Sequence, residues 1–265
     1  MLYLGLLSEE KIELPKGGCL FIGDQLPEVP EWRHPRIFDI NKNHINPLRG
    51  MNDRKAMRIA RALYQVEADA GKETLTVRNG RRALAKYLKK DFKTFAKLES
   101  HLWAKATDED KKFSPTDAEV LGMVSDVLYW DSLKRIFSDK PDFTFNKNST
   151  NLVRLDRSEM DDNEALTLAF LIMLQFKGTV VIPDFGFYGR EFLIPLIKEN
   201  RLVAGVKTLE ELSPRLRQAV LLIKEKVPCQ TTYEDAVTLA RYARLKPDPT
   251  RQDNPYTAFI EAAMA

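Results

Sequence analysis

The run VRNGRRALAKYLKKDFKTFAKLESHLWAK at 77–105 is the stretch of this chain whose residue types and spacing best suit chemistry on phosphate. Arg82, Lys86, Lys89, Lys93 and Lys97 recur at three- and four-residue intervals, with Lys90 beside them, so on one helix they form a continuous cationic stripe. Leu84, Leu88, Phe92, Phe95 and Leu102 fall largely on the other side. Such a stripe suits a nucleic-acid backbone, because each cation that neutralises a phosphate releases counterions. The same residues also read as a solvated helix face, diluted by Asp91 and Glu99.

Other reactive constellations are weaker or missing. A phosphate-binding loop needs a glycine-rich turn with Lys and Ser/Thr at a helix N-terminus, so that backbone N–H groups wrap the phosphates while the ammonium neutralises them. The chain has no G-x-x-x-x-G-K-[ST]; in VEADAGKETL, Val66 occupies the first glycine position and Glu73 the hydroxyl position, where a carboxylate repels phosphate. His34, His44 and His101 are scattered, giving no zinc constellation, and no nucleophile elbow or Cys–His pair is present. Asp161 and Asp162 precede an apolar run and read as a helix cap rather than a metal site. FGFYGR at 185–190 has two readings: a turn whose two glycines permit positive φ above two packed aromatics, or a loop that presents Phe187, Tyr188 and Arg190 to a base or a partner.

The elements that position these residues follow from hydrophobic patterning. Strands are expected at Leu2 to Leu7, Gly18 to Ile22 and Arg36 to Asp39, separated by proline-containing turns. Helical spacing starts at Asp53 and runs to about Ala70, with Ala56, Ile59, Ala60, Leu63 and Tyr64 on one side. Helix-like segments follow from Leu75 to Asp139. Then β and α alternate: strand Asn151 to Leu155, a largely apolar and therefore buried helix Asn163 to Phe176, strand Thr179 to Ile182, helix Glu191 to Lys198 and strand Leu202 to Val206. A further helix opens at Thr208 to Glu210, and the last, capped near Thr231 or Thr232, ends near Tyr242. Short, unbroken apolar strands alternating with helices predict an α/β fold with a mainly parallel sheet flanked by helices. The expected organisation is an α/β core from 1–70 and 146–245, a helical insertion at 71–145, and a proline-containing tail at 246–265.

Composition bounds the setting. The 265 residues are 44% hydrophobic and carry a net charge of +3, enough for a sizeable core and compatible with an anionic partner. Cys19 and Cys229 suggest no disulfide framework, and the opening apolar stretch ends by Ser8, too short for a membrane span. A cytoplasmic protein is expected.

Taken in order, FDINKNHINPL at 38–48, VVIPDFG at 180–186, LVAGVKTLEELSPRLRQAVL at 202–221 and TTYEDAVTLARYA at 231–243 resemble the FtsK/HerA superfamily of DNA-pumping P-loop ATPases, which includes conjugative coupling proteins. The motifs that carry the likeness are Asn46-Pro47-Leu48, Val180 to Asp184, Leu209 with Leu212 and Pro214, and Asp235-Ala236 with Leu239. The resemblance implies that Asp184 stands where a Walker B strand ends in its magnesium-holding aspartate. Phe185 then replaces the glutamate that orients the attacking water, and Lys207 a sensor glutamine. Pro183 lacks a backbone donor, which predicts a distorted strand end or an edge position. GGCLFIGDQLPEVPE at 17–31 approaches like a phosphate-loop strand but runs into Asp24 and Glu28, and stands in for the next strand if the loop helix is deleted. With the phosphate loop missing as well, the resemblance implies a degenerate, non-hydrolysing relative with no catalytic residue and no cofactor, acting as a DNA-binding or assembly part in plasmid, phage or mobile-element DNA handling. Its implied partners are DNA, further copies of the chain or an active ATPase. The rival readings are an ATPase subunit whose nucleotide site is unusual or partner-completed, and a structural adaptor without nucleic acid.

Overall fold

The computed structural model describes residues 1–4, 12–67, 75–90, 92–223, 226–228, 232, 234, 235, 237 and 238. The chain divides into two compact units, one of 1–35, 148–152 and 178–265, the other of 36–147 and 153–177.

The first unit is built on a parallel sheet. Its strands are β1 (Leu2–Leu4), β2 (Cys19–Gly23), the start of β4 (Thr150–Arg154), β5 (Thr179–Ile182), β6 (Leu202–Val206) and β7 (Lys226–Pro228), in the order β4-β2-β5-β6-β1-β7. The pairings β2–β5, β5–β6, β6–β1 and β1–β7 are all parallel. Phe21, Val181 and Val203 lie in register on one face and share a core cluster with Tyr3, Ile12, Cys19 and Leu152. Leu20, Val180 and Leu202 lie in register one residue earlier, so period-two alternation sends them to the opposite face, and they are buried too. Burial on both faces explains why these strands read as unbroken apolar runs. β5 lies between β2 and β6, in the sheet interior, and Pro183 follows its last residue. The edge position expected from Pro183 is therefore corrected: the proline costs no ladder hydrogen bond because the ladder has already ended. The described part of the β1–β2 connection before Cys19, residues 12–18, contains no helix.

Downstream of β5 come α7 (Phe185–Tyr188), α8 (Ile194–Lys198) and α9 (Pro214–Leu221). The helix expected over Glu191 to Lys198 is a 3₁₀ turn, Glu191–Leu193, followed by α8 with Pro195 in its first turn. The helix expected to open at Thr208 starts later. Leu209–Glu211 is a 3₁₀ turn, Leu212 is extended, and Ser213 caps α9 by accepting from the Leu216 N–H. Most of the final helix and all of the tail lie outside the described residues, as does Cys229.

Among its described residues the second unit holds β3 (Arg36–Phe38) and six helices: α1 (Asp53–Glu67), α2 (Leu75–Leu88), α3 (Phe95–Thr107), α4 (Pro115–Tyr129), α5 (Asp131–Ile136) and α6 (Asp162–Met173). α1 packs on α2 and α6, and α4 on α2, α3 and α5. α6 is buried from Glu164 to Met173, as its apolar sequence requires, and Asp161 caps it by accepting from the Asn163 N–H. α4 starts in a capping box: Ser114 accepts from the Asp117 N–H, and the Asp117 side chain accepts from the Ser114 N–H. Among the described residues no helix is long and apolar enough to cross a membrane.

Candidate functional site

In an open parallel sheet, ligands bind outside the carboxyl ends of the strands, so the residues after β5 and β6 are the first place to look for chemistry. Asp184 follows β5 by two residues. Its Oδ1 accepts from the Phe187 N–H at 3.2 Å, making it the N-cap of α7. Phe185 is fully buried. No carboxylate stands there to orient a water, and an acid in that fully buried place would lose its hydration without a partner. Lys207 directly follows β6 and is exposed. The two strands are neighbours in parallel register, Ile182 opposite Ala204, so Asp184 and Lys207 leave adjacent strand ends.

The FGFYGR segment resolves into a short helix with close packing. Phe185 and Tyr188 are buried, and Arg190 donates from Nη1 to the carbonyls of Phe187 (2.7 Å) and Gly189 (2.9 Å). Tyr188 and Arg190 are thus tied inward rather than presented. Positive φ at the glycines is also corrected, because Gly50 is the one described glycine with that geometry. Gly189 has φ −68° and is needed for space: a Cβ there would lie 2.4 Å from the Phe185 carbonyl oxygen. Gly205 of β6 is held in the same way, with a Cβ lying 2.1 Å from the Pro183 oxygen. Sequence reading missed this close approach of β6 to the β5 exit, and Gly205 inside an apolar strand was the available signal.

Asp235, from the expected Asp-Ala-x-x-Leu pattern, is buried and accepts from the Leu209 N–H at 3.1 Å. Burial pushes its carboxyl above the usual carboxylate range, against the lowering effect of that hydrogen bond and of Thr232. Ala236 and Leu239 lie outside the described residues.

In the second unit, the cations expected on one helix are divided between two. α2 ends at Leu88, Thr94 caps α3 by accepting from the Lys97 N–H, and the intervening chain carries Lys89, Lys90 and Lys93. The continuous stripe is therefore corrected: Arg82 and Lys86 belong to α2 and Lys97 to α3, so three- and four-residue spacing no longer aligns them. Lys89 pairs with Asp53 at 2.9 Å, Lys97 with Asp139 at 3.5 Å, and Lys90 lies 4.8 Å above the Tyr87 ring. Asn46 of the Asn-Pro-Leu turn accepts from the Leu48 N–H and donates to the Lys93 carbonyl, holding that connection in place. Of the apolar residues, Leu84, Leu88, Phe95 and Leu102 are buried as expected, whereas Phe92 lies in the connection between the helices and is half-buried.

A polar network missed in the sequence joins α2, α3 and α4. Asp117 accepts from Tyr87 Oη (2.5 Å), Lys105 Nζ (2.7 Å) and both the N–H and Oγ of Ser114 (2.8 Å each). Burial alone would raise its carboxyl, but these donors hold it well below the usual range. The network is structural, since every partner is internal. Its sequence signal was Ser114 three residues before Asp117, with Pro115 between them. Among the described residues no group of three or more His, Cys, Asp or Glu could hold a metal ion.

No family model and no curated protein matches this chain. Among solved structures it is similar to VirB4 of Thermoanaerobacter pseudethanolicus, with a TM-score of 0.58 at 10% identity, covering 92% of this chain and 81% of that one. At that identity the likeness establishes a shared fold, the α/β architecture with a parallel sheet flanked by helices.

Proposed function

We propose that this chain is a non-hydrolysing relative of the DNA-pumping ATPases, keeping their fold as a DNA-binding or assembly component in mobile-element DNA handling. The observation that carries this reading is the use made of the β5 exit. Asp184 caps its own helix and Phe185 fills the core, so neither is arranged to hold Mg²⁺ or to orient a water. The VirB4-like fold supports the ATPase ancestry. The chain's lack of a phosphate-loop motif supports the loss of turnover. The helical stretch at 71–145 is, on this reading, an insertion in the ancestral core.

Arg82, Lys86, Lys89, Lys90, Lys93 and Lys97 remain the proposed DNA contacts, now as a patch across the α2–α3 connection. The carboxylate partners of Lys89 and Lys97 are exposed, and such pairs exchange readily for phosphate. The test is duplex DNA binding by fluorescence anisotropy across a salt series. Replacing Arg82, Lys86 and Lys93 by Gln flattens the log–log salt slope by about two to three units, at about 0.9 per neutralised phosphate. An unchanged slope, or no binding by the unaltered chain at low salt, favours the adaptor reading instead.

A further inference from the structure

The α1 sequence, DRKAMRIARALYQVE, buries Ala56, Ile59, Ala60, Leu63 and Tyr64 and turns cations to the other side. Arg54, Arg58 and Arg61 are four and three residues apart, so they stack along one helix face with Met57 beside them. Arg54 and Arg61 are exposed and Arg58 is half-buried. Among the described residues none of the three side chains makes a hydrogen bond or an ion pair. Lys55, on the flank of this face, is half-buried as well, and its Nζ donates to the Arg49 carbonyl at 2.5 Å. Burial weakens its hold on its proton, and the nearby charge of Lys177 adds to the effect. The fold thus gathers cations here without a counter-charge among the described residues, and an external anion relieves that repulsion.

The neighbouring elements do not neutralise the face. Asp53, the acid of the first turn of α1, pairs with Lys89, and α2 carries no acidic residue. The Glu67 side chain lies outside the described residues. Asp162 and Glu164 stand in the first turn of α6, after the cap Asp161, and this is the end of α6 away from Lys55. Leu63 lines one cavity with Asp126, Asn163 and Thr167, whereas Lys177, beyond the last turn of α6, acts on Lys55. Leu63 is about 200° round the helix from Arg61, so these acids gather on the packed side of α1.

At about 1.5 Å per residue, Arg54 to Arg61 cover about 10.5 Å, the length over which one strand of duplex DNA presents about three phosphates. Each guanidinium offers a planar fork of donors that suits a phosphate. A membrane surface or a protein partner calls for apolar groups too, and none of the exposed large hydrophobic residues is on α1. We propose that this face of α1 is a second nucleic-acid contact, in which Arg54, Arg58 and Arg61 each neutralise a backbone phosphate and Lys55 closes the row. It rests on the DNA-binding reading above and adds a surface separate from the α2–α3 connection.

The experiment is duplex DNA binding by fluorescence anisotropy across a salt series, with the full chain and a variant carrying Arg54→Gln, Arg58→Gln and Arg61→Gln. Loss of three phosphate contacts flattens the log–log slope by about two to three units, and binding weakens alike on unrelated sequences. Gln keeps a helix propensity close to that of Arg. The single substitutions, each flattening the slope by about 0.9, carry the test if the triple variant does not fold. Replacing the exposed Lys16, Lys147 and Lys198 by Gln removes the same charge elsewhere and leaves the slope unchanged. An α1 variant with the slope of the unaltered chain, or a control variant that flattens it equally, overturns the proposal. A slope that responds to the Arg82, Lys86 and Lys93 replacements but not to those on α1 overturns the α1 contact and leaves the DNA-binding reading standing. No binding by the unaltered chain at low salt overturns both.

Discussion

Asp117 of the helical unit and Asp235 of the sheet unit are both buried aspartates, and their surroundings drive them in opposite directions. Asp117 has Lys105, Tyr87 and Ser114 turned toward it, so the fold prefers the carboxylate. Asp235 has Glu210 in its field and a backbone N–H as its main donor, so burial prevails and the fold prefers the protonated acid. The same contrast separates their settings. The helical unit satisfies its buried charge with dedicated partners, whereas at the β5 exit Asp184 caps its own helix and Phe185 is buried.

The largest expected effect comes from reopening the β5 exit. Phe185→Ala removes a fully buried ring and lowers stability by about 3–5 kcal/mol in urea unfolding. Phe185→Glu restores the acid that the family resemblance calls for, yet it is expected to cost at least as much, because the carboxylate enters the core without a partner. Near-native stability of Phe185→Glu breaks the comparison.

Next comes the Asp117 network, where Asp117→Ala leaves Lys105 and Tyr87 without their acceptor and is expected to cost about 3 kcal/mol. Its pH signature sharpens the contrast. The folded-state pKa of Asp117 is depressed, so its contribution is present above the unfolded value near 3.9 and is lost as pH falls through the folded value. Asp117→Asn therefore flattens the acid limb of the stability curve below about pH 5. Asp235 is raised, so its contribution is present below the unfolded pKa and is lost as pH rises through the folded one. Asp235→Asn keeps an acceptor for Leu209 and gains relative stability above about pH 5, by less than about 1 kcal/mol. Parallel pH curves for the two variants contradict the opposite shifts.

A finer contrast lies within one segment. Gly189→Ala forces a Cβ against the Phe185 carbonyl and is expected to cost about 1–3 kcal/mol. Gly186→Ala meets only the end of the Glu211 side chain, which can rotate away, and is expected to cost less than about 1 kcal/mol. Thermal unfolding of the pair measures the difference.

The sheet was legible because its strands are continuous apolar runs: Thr179–Ile182 and Leu202–Val206 are read from sequence with the bounds they have in the structure. β7, a three-residue strand at Lys226–Pro228, carries too little apolar pattern to read. Helix existence between Leu75 and Asp139 was legible, but the break at 89–94 was not, since no glycine or proline marks it and the cation spacing continues through it. Thr94, a capping residue just before an apolar position, was the readable sign. At Asp184 the sequence could suggest a strand-end carboxylate but not its commitment to the Phe187 N–H, which depends on the local turn of α7. The Asp117 environment brings together residues from several helices and has no local pattern.

The central claim, that the ATPase fold is kept without a working nucleotide site, is tested most directly by titration calorimetry of the full chain with ATP and Mg²⁺. The account predicts no saturable heat at nucleotide concentrations up to a few millimolar, a limit of about −4 kcal/mol in binding free energy, and the same flat trace for Asp184→Asn. Stoichiometric binding with a Kd well below about 1 mM that Asp184→Asn abolishes would contradict it.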